Sequence, residues 1–319
     1  MPDSARNATA AGVVAFAPDA GLILPLITSV LRDVGHVTVF VNAVIEEDLA
    51  RRLEAIDPRC EVVYSDINLG VAEALNILAL NAIMRGCTRL ALFDQDSRPP
   101  EGMVAALGGA MDQLAASGER VAVIGPRITA PAGQEERYKS PRYFPQPARP
   151  ARHGAVPVRY IITSGSLVDL SAFRAVGPFR SDFFIDGIDT EWCFRAWAKG
   201  YSCWFHGELP MEHTIGEGAV RSRIFRIRFP RQNPMRMYSY FRNQAACLRL
   251  GHIPVGWRAR FALHMIRLAL STWAASPLSL RPLGVMAQAV AHGLTGRLGP
   301  PPGALHAVPG PVFPRSGRA

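Results

Sequence analysis

The sequence predicts an α/β fold built on a mostly parallel sheet, and three observations carry that prediction. Within the first 125 residues, five short β-branched runs alternate with four segments of helical period, the rhythm of a doubly wound sheet. Two acids, Asp94 and Asp96, close the fourth run in "LALFDQDSRPP" (90–100), at the strand end where such sheets hold their ligands. The last third of the chain abandons the alternation for helical patterns rich in arginine.

In order, the strands are "VVAFA" (13–17), "VTVFV" (37–41), "EVVYS" (61–65), "RLALF" (89–93) and "VAVIG" (121–125), with helices over about 21–34, 46–56, 71–86 and 101–116 between them. Residues 130–154, dense in Pro, Arg and Gly, read as a loop. "RYIITSGSLVDL" (159–170) reads as a strand with a Gly-Ser turn inside it. "GIDTEWCFRAWAKG" (187–200) is a helix stopped at Gly200, and "YSCWFHG" (201–207) is a short strand. Beyond residue 235 the pattern is mainly helical.

Composition narrows the class. The chain has 319 residues, 49% of them hydrophobic, enough for a substantial core. Five scattered cysteines form no CxxC pair, which argues against a disulfide framework or a zinc site and for a reducing compartment. The first 18 residues do not read as a signal peptide. The net charge of +9 is unevenly placed: residues 1–217 hold 20 basic and 26 acidic residues, whereas 218–319 hold 15 arginines and no acid. Such a stretch calls for an anionic partner: phosphate, nucleic acid or an anionic membrane face. The apolar segment 261–294 is interrupted by Arg267, Pro277 and Arg281, so it reads as amphipathic helices rather than a span. Those helices either lie on a membrane surface or pack on the core.

Five stretches carry chemistry. Asp94 and Asp96 repel each other unless a cation joins them, and hard carboxylate oxygens suit Mg²⁺ or Mn²⁺ on a diphosphate. An aspartyl phosphatase uses the same letters, but requires a lysine; the chain has only Lys139 and Lys199. "NLGVAEALN" (68–76) opens a helix whose N-terminus can face phosphate or form a simple turn. "FFIDGIDTEWCFRAWAKGY" (183–201) sets Asp186, Asp189 and Glu191 among aromatics, a setting for a partly buried general base, with Arg195 one turn beyond Glu191. "MEHTIGEG" (211–218) offers His213 as a metal ligand or phosphate contact. The stretch 228–244 interleaves Arg228, Arg231, Arg236 and Arg242 with aromatics, to grip either nucleic acid or a diphosphate.

Taken together, these motifs over residues 12–250 resemble the family 2 glycosyltransferases of GT-A fold, most of all bacterial rhamnosyltransferases that use dTDP-L-rhamnose. The resemblance implies a nucleotide-sugar and catalytic domain over 1–207, an acceptor and diphosphate side over 208–255, and a basic helical extension with a disordered tail over 256–319. It implies Asp189 as the base on the acceptor hydroxyl, supported by Glu191 and Arg195. Asn42, Asn68, Gly70, Asn76, Asp94, His213 and Arg242 become donor-binding residues, and Asp96 with Asp94 the ligands of Mg²⁺ or Mn²⁺. Val41 stands where the family places an Asp against the nucleotide base. The implied partners are a nucleotide-sugar donor, a glycan or lipid-linked acceptor and an anionic membrane surface, but no nucleic acid. The implied location is cytoplasmic, on the inner face of the plasma membrane.

Overall fold

A computed structural model describes residues 6–42, 45–130, 133, 141, 143–146, 149–213, 219–221, 228–230, 233–275, 280–302 and 304. Residues 131–132, 134–140 (with Lys139), 142 and 147–148 of the 130–154 loop, the 214–218 motif end, Arg231, Pro277 and the tail beyond 304 lie outside them. The strands are β1 Thr9–Ala15, β2 His36–Val41, β3 Cys60–Tyr64, β4 Arg89–Asp94, β5 Val121–Thr129, β6 Ala155–Pro157, β7 Leu167–Asp169, β8 Ser202–Glu212, β9 Ala219–Arg221 and β10 Arg228–Pro230. The helices are α1 Ala20–Val30, α2 Glu47–Glu54, α3 Val71–Met84, α4 Met103–Ala116, α5 Leu170–Val176, α6 Ile188–Ala198, α7 Pro234–Cys247, α8 Val255–Ala275 and α9 Arg281–Thr295.

The main sheet has the order β3-β2-β1-β4-β7-β5-β8-β6. Strands β1 to β4 are parallel, as are β5 and β8. β7 runs antiparallel to both β4 and β5, and β6 antiparallel to β8. The sheet is thus parallel through its first half, as the alternation predicts, and mixed beyond. Of the single strand expected over 159–170 only the end, β7, forms; β6 lies ahead of that range, and an irregular stretch separates the two. Gly165 turns there with φ +77°, and its N–H donates to Leu92 O at 2.6 Å. A Cβ at Gly165 would meet the Met211 side chain at 2.6 Å, so the turn needs this glycine.

One apolar cluster lies on each face of the sheet. α3, α5 and α6 cover one face, with Leu75, Leu78, Phe173 and Trp192; α1 and α4 cover the other, with Ile23, Ile27, Leu107 and Leu114. Both faces of the central strands are therefore apolar, which explains their near-continuous hydrophobic runs. α7, α8 and α9 share a third cluster of Tyr238, Phe241, Met265, Leu268 and Met286. Gly293 of α9 lies so close to the Arg242 carbonyl of α7 that no side chain fits between them. Trp257 docks the start of α8 on the body, with ring centroids 5.1 Å from Phe144 and 5.2 Å from Phe194. The basic helices therefore pack on the body of the protein through one side, while Leu263, Ile266, Leu270 and Trp273 of α8 stay exposed. No helix among the described residues is long and apolar enough to cross a membrane.

Candidate active site

The ends of β4, β5 and β8 converge. β4 stops at Asp94, and Ser97 N donates back to Asp94 O at 3.0 Å to make the turn that lifts Asp96. Gln95 Oε1 accepts from Phe16 N at 2.7 Å, tying this turn to the end of β1. β8 is longer than expected because it runs on beside β5 to Glu212, past a register shift at Pro126–Arg127. His213 N then donates to Thr129 O at 3.1 Å, which sets the imidazole over the two acids.

His213 Nε2 lies 3.3 Å from Asp94 Oδ2, and its Nδ1 3.4 Å from Asp96 Oδ1. Burial by itself favours the neutral ring, but the two carboxylates outweigh it and raise the His213 pKa to about 10. Burial likewise pushes Asp94 up, and His213, Arg236 and Ser164 more than reverse that, leaving it below its ordinary value. Asp94 and Asp96 thus both face the single imidazole of His213. One ligand atom from each of Asp94, Asp96 and His213 falls within 4.8 Å of the others, so the three could hold a divalent metal. Two carboxylates and an imidazole suit Mn²⁺ as a donor set, and the carboxylates suit Mg²⁺ as well.

The second acid group sits on the loop into α6. Phe184 and Asp186 adopt φ +64° and +65°, and Gly187 follows at +79°. Such backbone in non-glycine residues persists only where the surroundings enforce it. Asn243 Nδ2 reaches the carbonyls of Phe183, Ile185 and Asp186 at 2.8–2.9 Å, and Val71 N donates to Phe184 O at 2.7 Å. Asp189 stands in the first turn of α6, its Oδ1 accepting from Thr190 N at 2.6 Å. Burial, then the Thr190 bonds acting in opposition, then the like charges of Asp186 and Asp94, leave its pKa raised to about 6. The charges of Asp94 and Asp189 thus act on each other across one site. Asp186 is engaged: Arg236 Nη2 lies 2.7 Å from its Oδ1.

Glu191 is 1% exposed and grips Arg195 through both oxygens, at 3.1 and 2.9 Å. Arg195 also donates to Pro178 O at 2.8 Å, fastening α6 to the segment before the loop. His252 Nε2 approaches the same carboxylate to 2.9 Å. Burial raises the Glu191 pKa, but His252 and Arg195 overcome it and hold the group ionised.

Five residues expected to touch the donor have their polar atoms committed inside the protein. Asn42 Nδ2 donates to Asn68 Oδ1 at 3.1 Å, and Asn42 Oδ1 accepts from Leu69 N at 2.8 Å. Asn68 Oδ1 also accepts from Gly70 N at 2.9 Å. Gly70 lies against Phe184, whose ring is 2.6 Å from where a Cβ would stand. Asn76 exchanges hydrogen bonds with Phe179 N and O at 2.8 and 2.9 Å. The N-terminus of α3, read as a possible phosphate site, receives the Phe184 carbonyl instead. Arg242, 1% exposed, donates to Phe183 O at 2.9 Å and to Gly299 O. These residues position the loop ahead of Asp189. Val41 is buried in β2.

Sequence reasoning missed His252, Ser164 and Asn243. Asn243 adjoins Arg242 in "FRNQ", a faint signal; His252 is 61 residues from Glu191, and nothing local marks it. The phosphatase reading lacks its lysine among the described residues, since Lys199 donates to Ala175 O at 2.9 Å beside α5.

No protein-family model matches the chain. A dTDP-rhamnosyl transferase, RfbF of Shigella flexneri, is 29% identical over 254 residues, 76% of this chain and 80% of that protein. Among solved structures, TarS 1-349 of S. aureus in complex with UDP superposes with TM-score 0.56 at 11% identity, over 90% of this chain and 82% of that one. GalNAc-T7 with UDP, GalNAc and Mn²⁺ superposes with TM-score 0.55 at 13% identity over 85% of this chain, which spans 58% of that longer protein. The chain has the GT-A glycosyltransferase fold, and over three quarters of its length its sequence is similar to that dTDP-rhamnosyl transferase.

Proposed function

We propose that this GT-A glycosyltransferase is an inverting enzyme that moves L-rhamnose from dTDP-L-rhamnose to a hydroxyl of a glycan or lipid-linked acceptor. The observation that supports the reading is the three-ligand acid–imidazole group at the strand ends, together with Asp189 in the first turn of α6, a carboxylate of raised pKa on which the charge of Asp94 acts. The rhamnose donor is taken from the likeness to RfbF.

Asp189 acts as the base. Its carboxylate accepts the proton of the acceptor hydroxyl, that oxygen forms a bond to the sugar C1, and the bond from C1 to the diphosphate oxygen breaks on the opposite side. A pKa near 6 leaves Asp189 ionised at neutral pH yet more basic than a surface Asp. Asp94, Asp96 and His213 would hold Mg²⁺ or Mn²⁺, which supplies positive charge to the departing diphosphate when bound. Glu191, Arg195, Asn76, Arg242 and Asn243 keep the loop and α6 in register, so that Asp189 meets the acceptor without reorganisation.

The basic helices bring the protein to an anionic membrane face on the cytoplasmic side. Leu263, Ile266, Leu270 and Trp273 are all exposed on α8. At 100° per residue they form one stripe opposite buried Phe261, Met265 and Leu268, with exposed Arg260 and Arg267 along one flank.

The test is a thermal-shift series with dTDP-rhamnose, UDP-GlcNAc and GDP-mannose, each with and without Mn²⁺. The reading expects the largest stabilisation from dTDP-rhamnose, and only with metal. No stabilisation by any nucleotide sugar would overturn it.

A further inference from the structure

The sequence offers both Arg236 and Arg242, among the arginines of 228–244, for a diphosphate, and the Arg242 guanidinium is buried on the Phe183 and Gly299 carbonyls. Arg236 lies six residues earlier on α7. Its backbone N–H is capped by Asn233 Oδ1 at 2.9 Å, so it stands in the first turn of a 14-residue helix. Its side chain is 37% exposed, and its fork meets Asp186 with Nη2–Oδ1 2.7 Å and Nε–Oδ2 3.4 Å. The same charge acts on Asp94 at the end of β4. Arg236 is thus tied to the loop that leads to Asp189, and its charge reaches Asp94.

We propose that Arg236 is the residue that grips the donor's diphosphate, and that Asp186 is an internal anion occupying its fork until the diphosphate displaces it. The inference rests on the glycosyltransferase reading above. Its chemistry is ordinary: a guanidinium fork takes a carboxylate or a phosphate with the same paired N–H···O geometry. The diphosphate brings more charge than one carboxylate, and the first turn of α7 adds a favourable dipole. The Asp186 backbone is held in place by Asn243, so the carboxylate needs only to rotate away rather than carry the loop with it. Asp186 is therefore both a placeholder for the phosphate and a device that keeps the fork aimed before the donor arrives.

The test is a double-mutant cycle read by calorimetric titration of dTDP in Mn²⁺, on wild type, Arg236→Ala, Asp186→Asn and the double variant. Asp186→Asn is a mild change, because Asn tolerates the left-handed backbone that position adopts. The expected results are at least 30-fold weaker dTDP binding in Arg236→Ala, several-fold tighter binding in Asp186→Asn, and no gain from Asp186→Asn once Arg236 is absent. Arg236→Lys, which keeps the ion pair and hence the fold, should fall between wild type and Ala. Melting temperatures are taken beside each titration, and if Arg236→Ala does not fold, the cycle is run with Lys. Wild-type dTDP affinity in the Arg236 variants, or equal effects of Asp186→Asn with and without Arg236, overturns the assignment and leaves the glycosyltransferase reading standing. A wild-type protein that binds no dTDP overturns both.

Discussion

Replacing Asp189 by Asn separates two consequences of one buried carboxylate. The folded-state pKa is about 6 against an ordinary 3.8. A raised carboxylate pKa means the protonated form is the one the fold favours. The associated stability is fully present below pH 3.8 and is lost as pH rises through 6. Two pKa units correspond to about 3 kcal/mol, and partial exposure of the side chain reduces this to roughly 1–2 kcal/mol. Asn is neutral throughout and can still accept from Thr190 N. The variant should therefore melt close to wild type at pH 4 and several degrees higher at pH 7.5, by roughly 2–4 °C per kcal/mol. Transfer should fall by about 10²-fold or more, near 3 kcal/mol of lost transition-state stabilisation. Wild-type kcat/KM should climb with unit slope below pH 6 and level off above it. The assays are calorimetry at the two pH values and transfer from dTDP-rhamnose, with dTDP affinity as the control. A melting difference that does not depend on pH would refute the desolvated charge, and near-wild-type turnover would refute the base.

Asp96→Asn should lose Mn²⁺-dependent dTDP binding and keep its fold, since the residue is 30% exposed at a strand end; titration calorimetry with and without metal checks this, and unchanged affinity removes Asp96 from the metal site. Glu191→Gln should cost about 3–5 kcal/mol in urea denaturation, because it strands the Arg195 and His252 side chains beside a 1%-exposed position; a loss under about 1 kcal/mol would make the pair incidental. Gly70→Ala should disturb the loop as well as the fold, because the residue has φ +82° and faces the Phe184 ring, and its transfer rate should drop more than its dTDP affinity. Replacing Leu263, Ile266, Leu270 and Trp273 together by Gln should abolish flotation with anionic vesicles, and high salt should weaken wild-type flotation through screening over about 10 Å at 0.1 M; vesicle binding that survives the fourfold change would clear the stripe of that role.

The parallel half of the sheet was legible because each central strand is apolar on both faces and each crossover helix has its own period, so the pattern is local. β6 and β7 were not, since each is three residues long and exists only by pairing with strands distant in sequence: β7 slots between β4 and β5, and β6 edges β8. Turn chemistry at Gly165 announced a break within 159–170 without saying that the chain leaves the sheet and returns. The length of β8 was hidden for a similar reason. Its outer half, "ELPME", is partly exposed and interrupted by Pro210, and it forms a strand because β5 runs alongside it.

The candidate site divides along the same line. Asp94, Asp96 and Asp189 are acids at element ends, and a sequence exposes such positions directly. The polar residues around them are ambiguous, because an Asn or Arg that binds a ligand and one that binds a backbone carbonyl look alike in sequence. Asn76 and Arg242 belong to the second kind. Their partners, Phe179 and Phe183, lie 103 and 59 residues away. Both serve the segment ahead of Asp189, where two non-glycine residues hold positive φ at a cost of order 1–3 kcal/mol each. Such a backbone needs several independent clamps, and Asn243, Arg242, Gly70 and the first amides of α3 supply them. The density of polar residues that first suggests a large donor pocket is therefore, in good part, the scaffolding of one strained loop. Of the two arginines compared on α7, Arg236 alone has its fork turned toward the acids rather than toward backbone.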